Sequence, residues 1–237
     1  MAGGEAPLRR GLLLGSGEFE PWIEPVEREA LAAAGGDGSV VVLATASAPE
    51  GEKIFQGWIE MGIGHYRGMG LHVRAPELRS RADAGSAAIA GMVRSASMTF
   101  FSGGNPEFLA RTLEGTAVWD ALLAALDGGA IFGGCSAGAV IAGAAHRFGP
   151  ARGRFRFSGG LGLFPGDVFG VHWDSRFLAR RKQAFRKSVG DGLRLVAIAE
   201  ETAILNLGAG WAVHGRGAVE VALSSDRLEF RAGETFA

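Results

Sequence analysis

Short, unbroken apolar runs that end in glycine or a small polar residue alternate along this chain with longer segments of helical period. "GLLLGSGE" (11–18), "SVVVLATAS" (39–47), "GLHVRA" (70–75), "SMTFFSGG" (97–104), "AIFGGC" (130–135), "DVFGVHW" (167–173) and "LRLVAIAE" (193–200) read as strands. They are continuous β-branched and aromatic runs rather than alternating ones, the pattern of a parallel sheet covered on both faces. Helices are expected at 23–34, 49–62, 84–93, 105–113, 115–126, 137–146 and 175–188. After residue 200 the runs shorten and are broken by glycine pairs, as in "TAILNLGAGWAVHGRGAVEVALSS", which reads as antiparallel hairpins closing a sheet edge. The expected fold is therefore α/β: a three-layer α/β/α sandwich with a mainly parallel sheet and antiparallel hairpins at its C-terminal end. With no repeat, linker or low-complexity tract, residues 1–237 read as one domain.

Composition narrows the function classes. Lys and Arg number 24 against 25 Asp and Glu, a net charge of −1, so the basic excess that nucleic-acid binding needs is missing. The one cysteine, Cys135, can form no intramolecular disulfide, which fits a reducing compartment. The apolar run near the start is too short for a signal peptide, and no stretch approaches a membrane span. These readings together expect a cytoplasmic protein with neither a nucleic-acid nor a membrane partner. Glycines (39 of them) cluster at strand ends, where open α/β sheets bind ligands. Neither a metal-ligand spacing nor a phosphate loop is recognisable, "GSGEFE" lacking the third glycine and the lysine, so no metal and no cofactor is expected.

The chemistry concentrates in "GGCSAGAV" (133–140), a strand, a tight turn and a helix start. Gly134-Cys135-Ser136-Ala137-Gly138 matches G-x-S-x-G, a nucleophile elbow whose sharp turn needs small residues two before and two after the nucleophile. Centred on Ser136 the flanks are both glycine; centred on Cys135 they are Gly133 and Ala137, also small, so sterics leave both open. The same residues could equally form a packing turn with Ser136 as a helix N-cap. A second strand–glycine–helix turn, "FFSGGNPEFLARTL" (100–113), offers the N–H of Gly103 or Gly104, with that of Ala137, as an oxyanion hole. Asn105 and Pro106 there also suit a helix cap and first turn.

A serine nucleophile needs a base. Of five histidines, His65 reads as loop, His72 as strand, His146 as the end of the helix that Ser136 begins, and His214 as an exposed hairpin residue. His172, at the carboxyl end of "DVFGVHW", is the candidate base. Glu200 and Glu201, closing "LRLVAIAE", are the candidate orienting acids, and Asp174 reads as the N-cap of the next helix.

With these residues assembled, the chain resembles the peptidase E and cyanophycinase family of serine peptidases, whose fold is that of class I glutamine amidotransferases. The resemblance runs through "LLLGSGE", "VVLATAS", "FFSGGNPEFLARTL", "GGCSAGAV", "SGGLGLFPGDVFGVHWDSRFLARR" and "AIAEETAIL". It implies Ser136 as nucleophile, His172 as base, Glu200 as acid, and Gly104 and Ala137 as oxyanion donors; Cys135 is then the variable position. Amidotransferases of this fold carry cysteine in the register that Ser136 occupies. Where cyanophycinases have Asp-Gln after the upstream turn and before the base, this chain has Asn105-Pro106 and Gly170-Val171. The family's aspartyl dipeptidases place the acid soon after the elbow, but "HRFGPARGRFRF" contains none, which leaves that role to Glu200. Arg176 and Arg181 match arginines of the family, and with Asn105 they are the substrate-binding candidates, Arg176 being suited to a substrate carboxylate. The resulting expectation is a serine hydrolase, an exopeptidase or dipeptidase acting through an acyl-enzyme. Its expected partner is a small peptide substrate, aspartyl or isoaspartyl peptides among the candidates, with a homodimer as the assembly to test. A non-catalytic amidotransferase-like binding protein is the alternative, and glutaminase-type chemistry at Cys135 a third.

Overall fold

The computed structural model of the chain describes residues 9–151, 154–189, 192–223 and 226–237, with backbone alone at 146–151, 154–158 and 177. A central eight-stranded sheet is built on five mutually parallel strands, β1 (Arg10–Leu14), β2 (Val40–Leu43), β3 (Val73–Arg74), β4 (Met98–Phe101) and β5 (Ile131–Cys135). Three antiparallel strands extend it beyond β1: β10 (Thr202–Asn206), β11 (Trp211–Gly215) and β14 (Thr235–Phe236). The order across the sheet is β14-β11-β10-β1-β5-β4-β2-β3.

The continuous apolar character of the parallel strands has a direct cause. Successive side chains of a strand point to opposite faces, and here both faces are covered. Leu12, Leu14, Val40, Val42 and Phe100 pack with Ile23, just before α1 (Glu24–Ala33), with Val26 and Ala30 of that helix and with Tyr66 of α2 (Glu52–Gly68). Leu13, Val41, Leu43, Phe101 and Phe132 face the other way. They meet Val93 of α3 (Ala87–Ser95), Leu109 and Leu113 of α4 (Pro106–Leu113), Leu122 and Leu126 of α5 (Ala117–Asp127), and α6 (Ala137–Ile141). The mainly parallel sheet, its two helical layers and the antiparallel C-terminal strands agree with the architecture expected from the sequence.

Four segments differ from the expectation. The runs at 167–173 and 193–200 are strands, β8 (Asp167–Gly170) and β9 (Arg194–Ile198), but they do not enter the central sheet. They pair in parallel with each other, and β12 (Ala218–Leu223) and β13 (Asp226–Arg231) complete a separate sheet in the order β13-β12-β9-β8. A run buried on both faces looks the same in either sheet. The helix expected at 137–146 stops at Ile141; residues Ala145–Ala151 form β6, which pairs with β7 (Arg154–Gly159) in a hairpin, so His146 lies on a strand. The helix expected at 175–188 is two short pieces, α7 (Arg176–Ala179) and α8 (Lys182–Arg186).

Candidate active site

β5 delivers the elbow. Ser136 follows its last residue with φ 48° and ψ −107°, and α6 begins at the next residue. A turn this sharp brings the two flanking glycines against backbone: a Cβ on Gly134 would lie 2.6 Å from the Gly138 carbonyl carbon, and one on Gly138 would lie 2.3 Å from the Phe101 carbonyl oxygen. Both positions therefore exclude any side chain, which accounts for the glycine frame around Ser136.

The second sheet brings the candidate base to the same point. β8 ends at Gly170, and His172 sits in a tight turn with φ 53°, its carbonyl accepting the Ser175 N–H at 3.0 Å. The neighbouring Trp173 anchors this turn: it is buried among Leu178, Phe185, Leu195 and Ala197, and its Nε1 donates to Glu220 at 3.1 Å. His172 Nε2 is 3.0 Å from Ser136 Oγ. Its other ring nitrogen, Nδ1, is 3.3 Å from Glu200 Oε1.

Glu200 lies in the turn that carries the chain from β9 in one sheet to β10 in the other. Three contacts hold that turn: the Glu200 N–H donates to Asp174 Oδ1 (2.8 Å), the Glu201 N–H to Ser16 Oγ (3.2 Å), and Thr202 Oγ1 to the Glu200 carbonyl (2.9 Å). Asp174 is thus a support for Glu200 and not the N-cap of α7, a position that Ser175 fills. Glu201 points elsewhere, its carboxylate paired with Arg216 at 2.8 Å. Of the two acids left open by the sequence, Glu200 is the one beside the imidazole.

Gly104, at φ 138°, and Ala137 line the cavity next to Ser136. Among the described residues no acceptor is paired with the N–H of either, whereas the Gly103 N–H is already donated to Glu18 Oε1 at 3.1 Å. That leaves Gly104 and Ala137 as the pair of amides open to an oxyanion. Asn105 caps α4, its Oδ1 accepting the Phe108 N–H at 3.0 Å. Arg176 and Arg181 are solvent-exposed, and neither they nor Asn105 line the two cavities that meet at Ser136.

Cys135 is fully buried, and its Sγ donates to Glu18 Oε2 at 2.7 Å. Burial, followed by the negative charge of Glu18, pushes its thiol well above the ordinary cysteine range. A thiol held in that state is a poor nucleophile. His65, expected in a loop, belongs to α2 and contacts the buried Glu27, which also accepts the Tyr66 hydroxyl at 2.8 Å. His214, expected exposed, has a buried Nε2 without a partner among the described residues.

Four non-glycine residues among those described have positive φ: Phe19, Ser136, His172 and Glu201. All four line one cavity of about 580 Å³, together with Glu18, Gly104 and Glu200. Such strain costs on the order of 1–3 kcal/mol per residue and collects where function holds it in place. Glu18 was the site residue that sequence reasoning passed over. It stands just past the β1 run at the same rim, so the strand-end argument applied to Ser136 would have reached it.

The profile of Peptidase family S51 matches residues 12–212. A peptidase from an acI-B1 Actinobacterium superposes with a TM-score of 0.88 over 98% of each chain, at 24% identity. A proposed peptidase E protein from Listeria monocytogenes EGD-e superposes with a TM-score of 0.66 at 19% identity, covering 88% of this chain and 99% of its own. At these identities both likenesses concern the fold. No curated protein matches the chain.

Proposed function

Since the chain belongs to peptidase family S51, we propose that it is a serine-type peptidase that cleaves small peptides, as an exopeptidase or dipeptidase, through an acyl-enzyme on Ser136. The observation that carries this reading is the 3.0 Å contact between Ser136 Oγ and His172 Nε2, with Glu200 on the far side of the ring. A nucleophile within hydrogen-bond reach of a base that is itself oriented by a third group is the arrangement acyl transfer requires.

In the proposed cycle Ser136 Oγ attacks the scissile carbonyl while His172 Nε2 takes the hydroxyl proton. Charge builds on the carbonyl oxygen, and the N–H groups of Gly104 and Ala137 receive it; one such donor is worth about 3 kcal/mol in the barrier. Glu200 keeps the proton on His172 Nδ1, leaving Nε2 free to accept, and offsets the positive ring that results. His172 then protonates the leaving amine as the C–N bond breaks. Water, deprotonated by the same nitrogen, hydrolyses the ester and restores Ser136.

The alternative of a non-catalytic binding protein requires the serine and histidine to be unassembled, and their contact distance weighs against it. Chemistry at Cys135 is disfavoured by its burial and its hydrogen bond to Glu18. The test is covalent labelling by a fluorophosphonate probe. The wild-type protein should be labelled on Ser136 and the Ser136→Ala protein not at all; labelling that survived in the variant would refute the assignment.

A further inference from the structure

We propose that the substrate presents a free amino terminus on an apolar residue, its ammonium held by Glu18 and its side chain lodged in the cavity beside Ser136. The proposal rests on the hydrolase reading above and adds to it the identity of the residue whose carbonyl is attacked.

Two cavities meet at the Ser136–His172 pair, sharing Gly104, Ser136 and His172 in their walls. The first has a volume of about 180 Å³ and is walled by Val140, Phe169, Val171, Leu178 and Phe185. Among the described residues that line it there is no arginine, lysine or acid. A dry apolar cavity of about 150 Å³ takes up benzene, so this one has room for a leucine- or phenylalanine-sized side chain. Its mostly apolar walls would strip water from an aspartyl carboxylate, and among the described residues that line it none is an arginine or lysine to pair with the charge.

The second cavity contains Glu18. Its two carboxylate oxygens are held by neutral donors, the Gly103 N–H and the Cys135 thiol. Among the described residues no cationic side chain is paired with it, whereas Glu200 has His172 and Glu201 has Arg216. A Cβ placed on Gly103 would lie 3.3 Å from Glu18 Oε1 and 3.9 Å from Ser136 Oγ, which puts carboxylate and hydroxyl within about 7 Å of each other. Phe19, at φ 64°, locks this segment by packing on Phe100, Tyr66, His65 and Trp58.

A fixed anion this close to a developing oxyanion opposes the reaction unless something positive lies between them. In a peptide with a free amino terminus that cation is built in. Its nitrogen is two bonds from the carbonyl carbon, about 2.5 Å away given N–Cα and Cα–C lengths of about 1.5 Å. The same Cα carries the side chain in a different direction. One tetrahedral centre can therefore send its ammonium toward Glu18 and its side chain into the apolar cavity while its carbonyl faces Ser136.

The experiment compares hydrolysis of Leu-Ala, N-acetyl-Leu-Ala and Asp-Ala by the wild-type and Glu18→Gln proteins, with released amino acid measured by mass spectrometry. Fluorophosphonate labelling of Ser136 is followed in parallel, because it needs the nucleophile but not the ammonium site. The expected result is that wild type favours Leu-Ala over the acetylated and aspartyl peptides by at least about 100-fold in kcat/KM. E18Q should lose most of the preference for the free amine while still being labelled. Equal cleavage of the acetylated peptide, preference for Asp-Ala, an unchanged preference in E18Q, or hydrolysis of none of the three with Ser136 still labelled would each overturn the proposal. Failure of the hydrolase reading itself would look different: wild-type Ser136 would not be labelled. If E18Q does not fold, Glu18→Asp, which keeps the charge but retracts it, should weaken Leu-Ala cleavage through KM more than kcat; an unaltered KM would overturn the proposal equally.

Discussion

Replacing Glu200 with glutamine removes one negative charge from beside the proposed base and leaves the backbone turn intact, because the turn is held through the Glu200 N–H and carbonyl and not through its carboxylate. The carboxylate oxygen is 3.3 Å from His172 Nδ1. At that separation a full ion pair is worth about 1.3 kcal/mol in water and about 5 kcal/mol at an effective dielectric of about 20. The His172 and Glu200 side chains are 41% and 49% exposed, so screening keeps the value toward the lower figure, at about 2 kcal/mol. This charge acts only once the ring becomes positive, in the transition state, so the loss should appear in kcat. Two kcal/mol corresponds to about 30-fold. We therefore expect Glu200→Gln to slow both peptide turnover and the second-order rate of fluorophosphonate labelling by about 10- to 100-fold. Glu201→Gln, which breaks only the exposed pair with Arg216, should leave both within about threefold. A Glu200→Gln protein labelled at the wild-type rate, or a Glu201→Gln protein slowed equally, would refute the assignment of the acid.

Other outcomes follow from the same structure. Gly138→Ala drives a methyl group to 2.3 Å from the Phe101 carbonyl oxygen, which should cost about 3 kcal/mol and lower Tm by about 6–12 °C. Gly57→Ala in α2, with nothing within 4 Å of the added carbon, should leave Tm unchanged or raised. The Cys135 thiol should resist iodoacetamide in the folded protein at neutral pH and react on denaturation, as read by intact mass; rapid alkylation of the native state would contradict its burial. The Asp37 carboxyl is pushed up by burial but held down more strongly by hydrogen bonds with Ser39 and Ser95 and by the Arg74 charge, to about 2. Its folded value is the depressed one, so its contribution is present above the unfolded value and lost as pH falls from about 4 to about 2. At 42% side-chain exposure that contribution is about 1 kcal/mol after screening. Urea denaturation should show Asp37→Asn weaker by that amount at pH 7, with the gap closing on acidification.

Much of the fold could be read from the chain because the physics that shapes it is local. A run such as "SVVVLATAS" is apolar at every position since both of its faces are covered, and the strand-to-helix alternation around it leaves little choice but a parallel sheet between helical layers. The elbow was equally readable: Gly134 and Gly138 sit where any side chain would strike backbone, so their spacing around Ser136 records the turn itself. Asn105-Pro106 announced the start of α4 in the same way.

What periodicity could not reveal was which partner each strand would choose. β8 and β9 are as apolar as the central strands, yet they build a second sheet, since burial on two faces is indifferent to the identity of the neighbour. Nor does spacing distinguish Glu200 from Glu201, adjacent acids whose side chains diverge once the turn is pinned by Asp174 and Ser16. Glu18 is 117 residues from Cys135 and meets it only through the parallel pairing of β1 and β5. The sequence alone determined most of the strands and helices and the strained turn at Ser136, because those depend on neighbours a few residues away. Tertiary structure decided that a histidine from one sheet, a glutamate from the crossing between two, and a second glutamate from the first strand's end surround that serine, because contacts across the rim are made by residues the chain order keeps far apart.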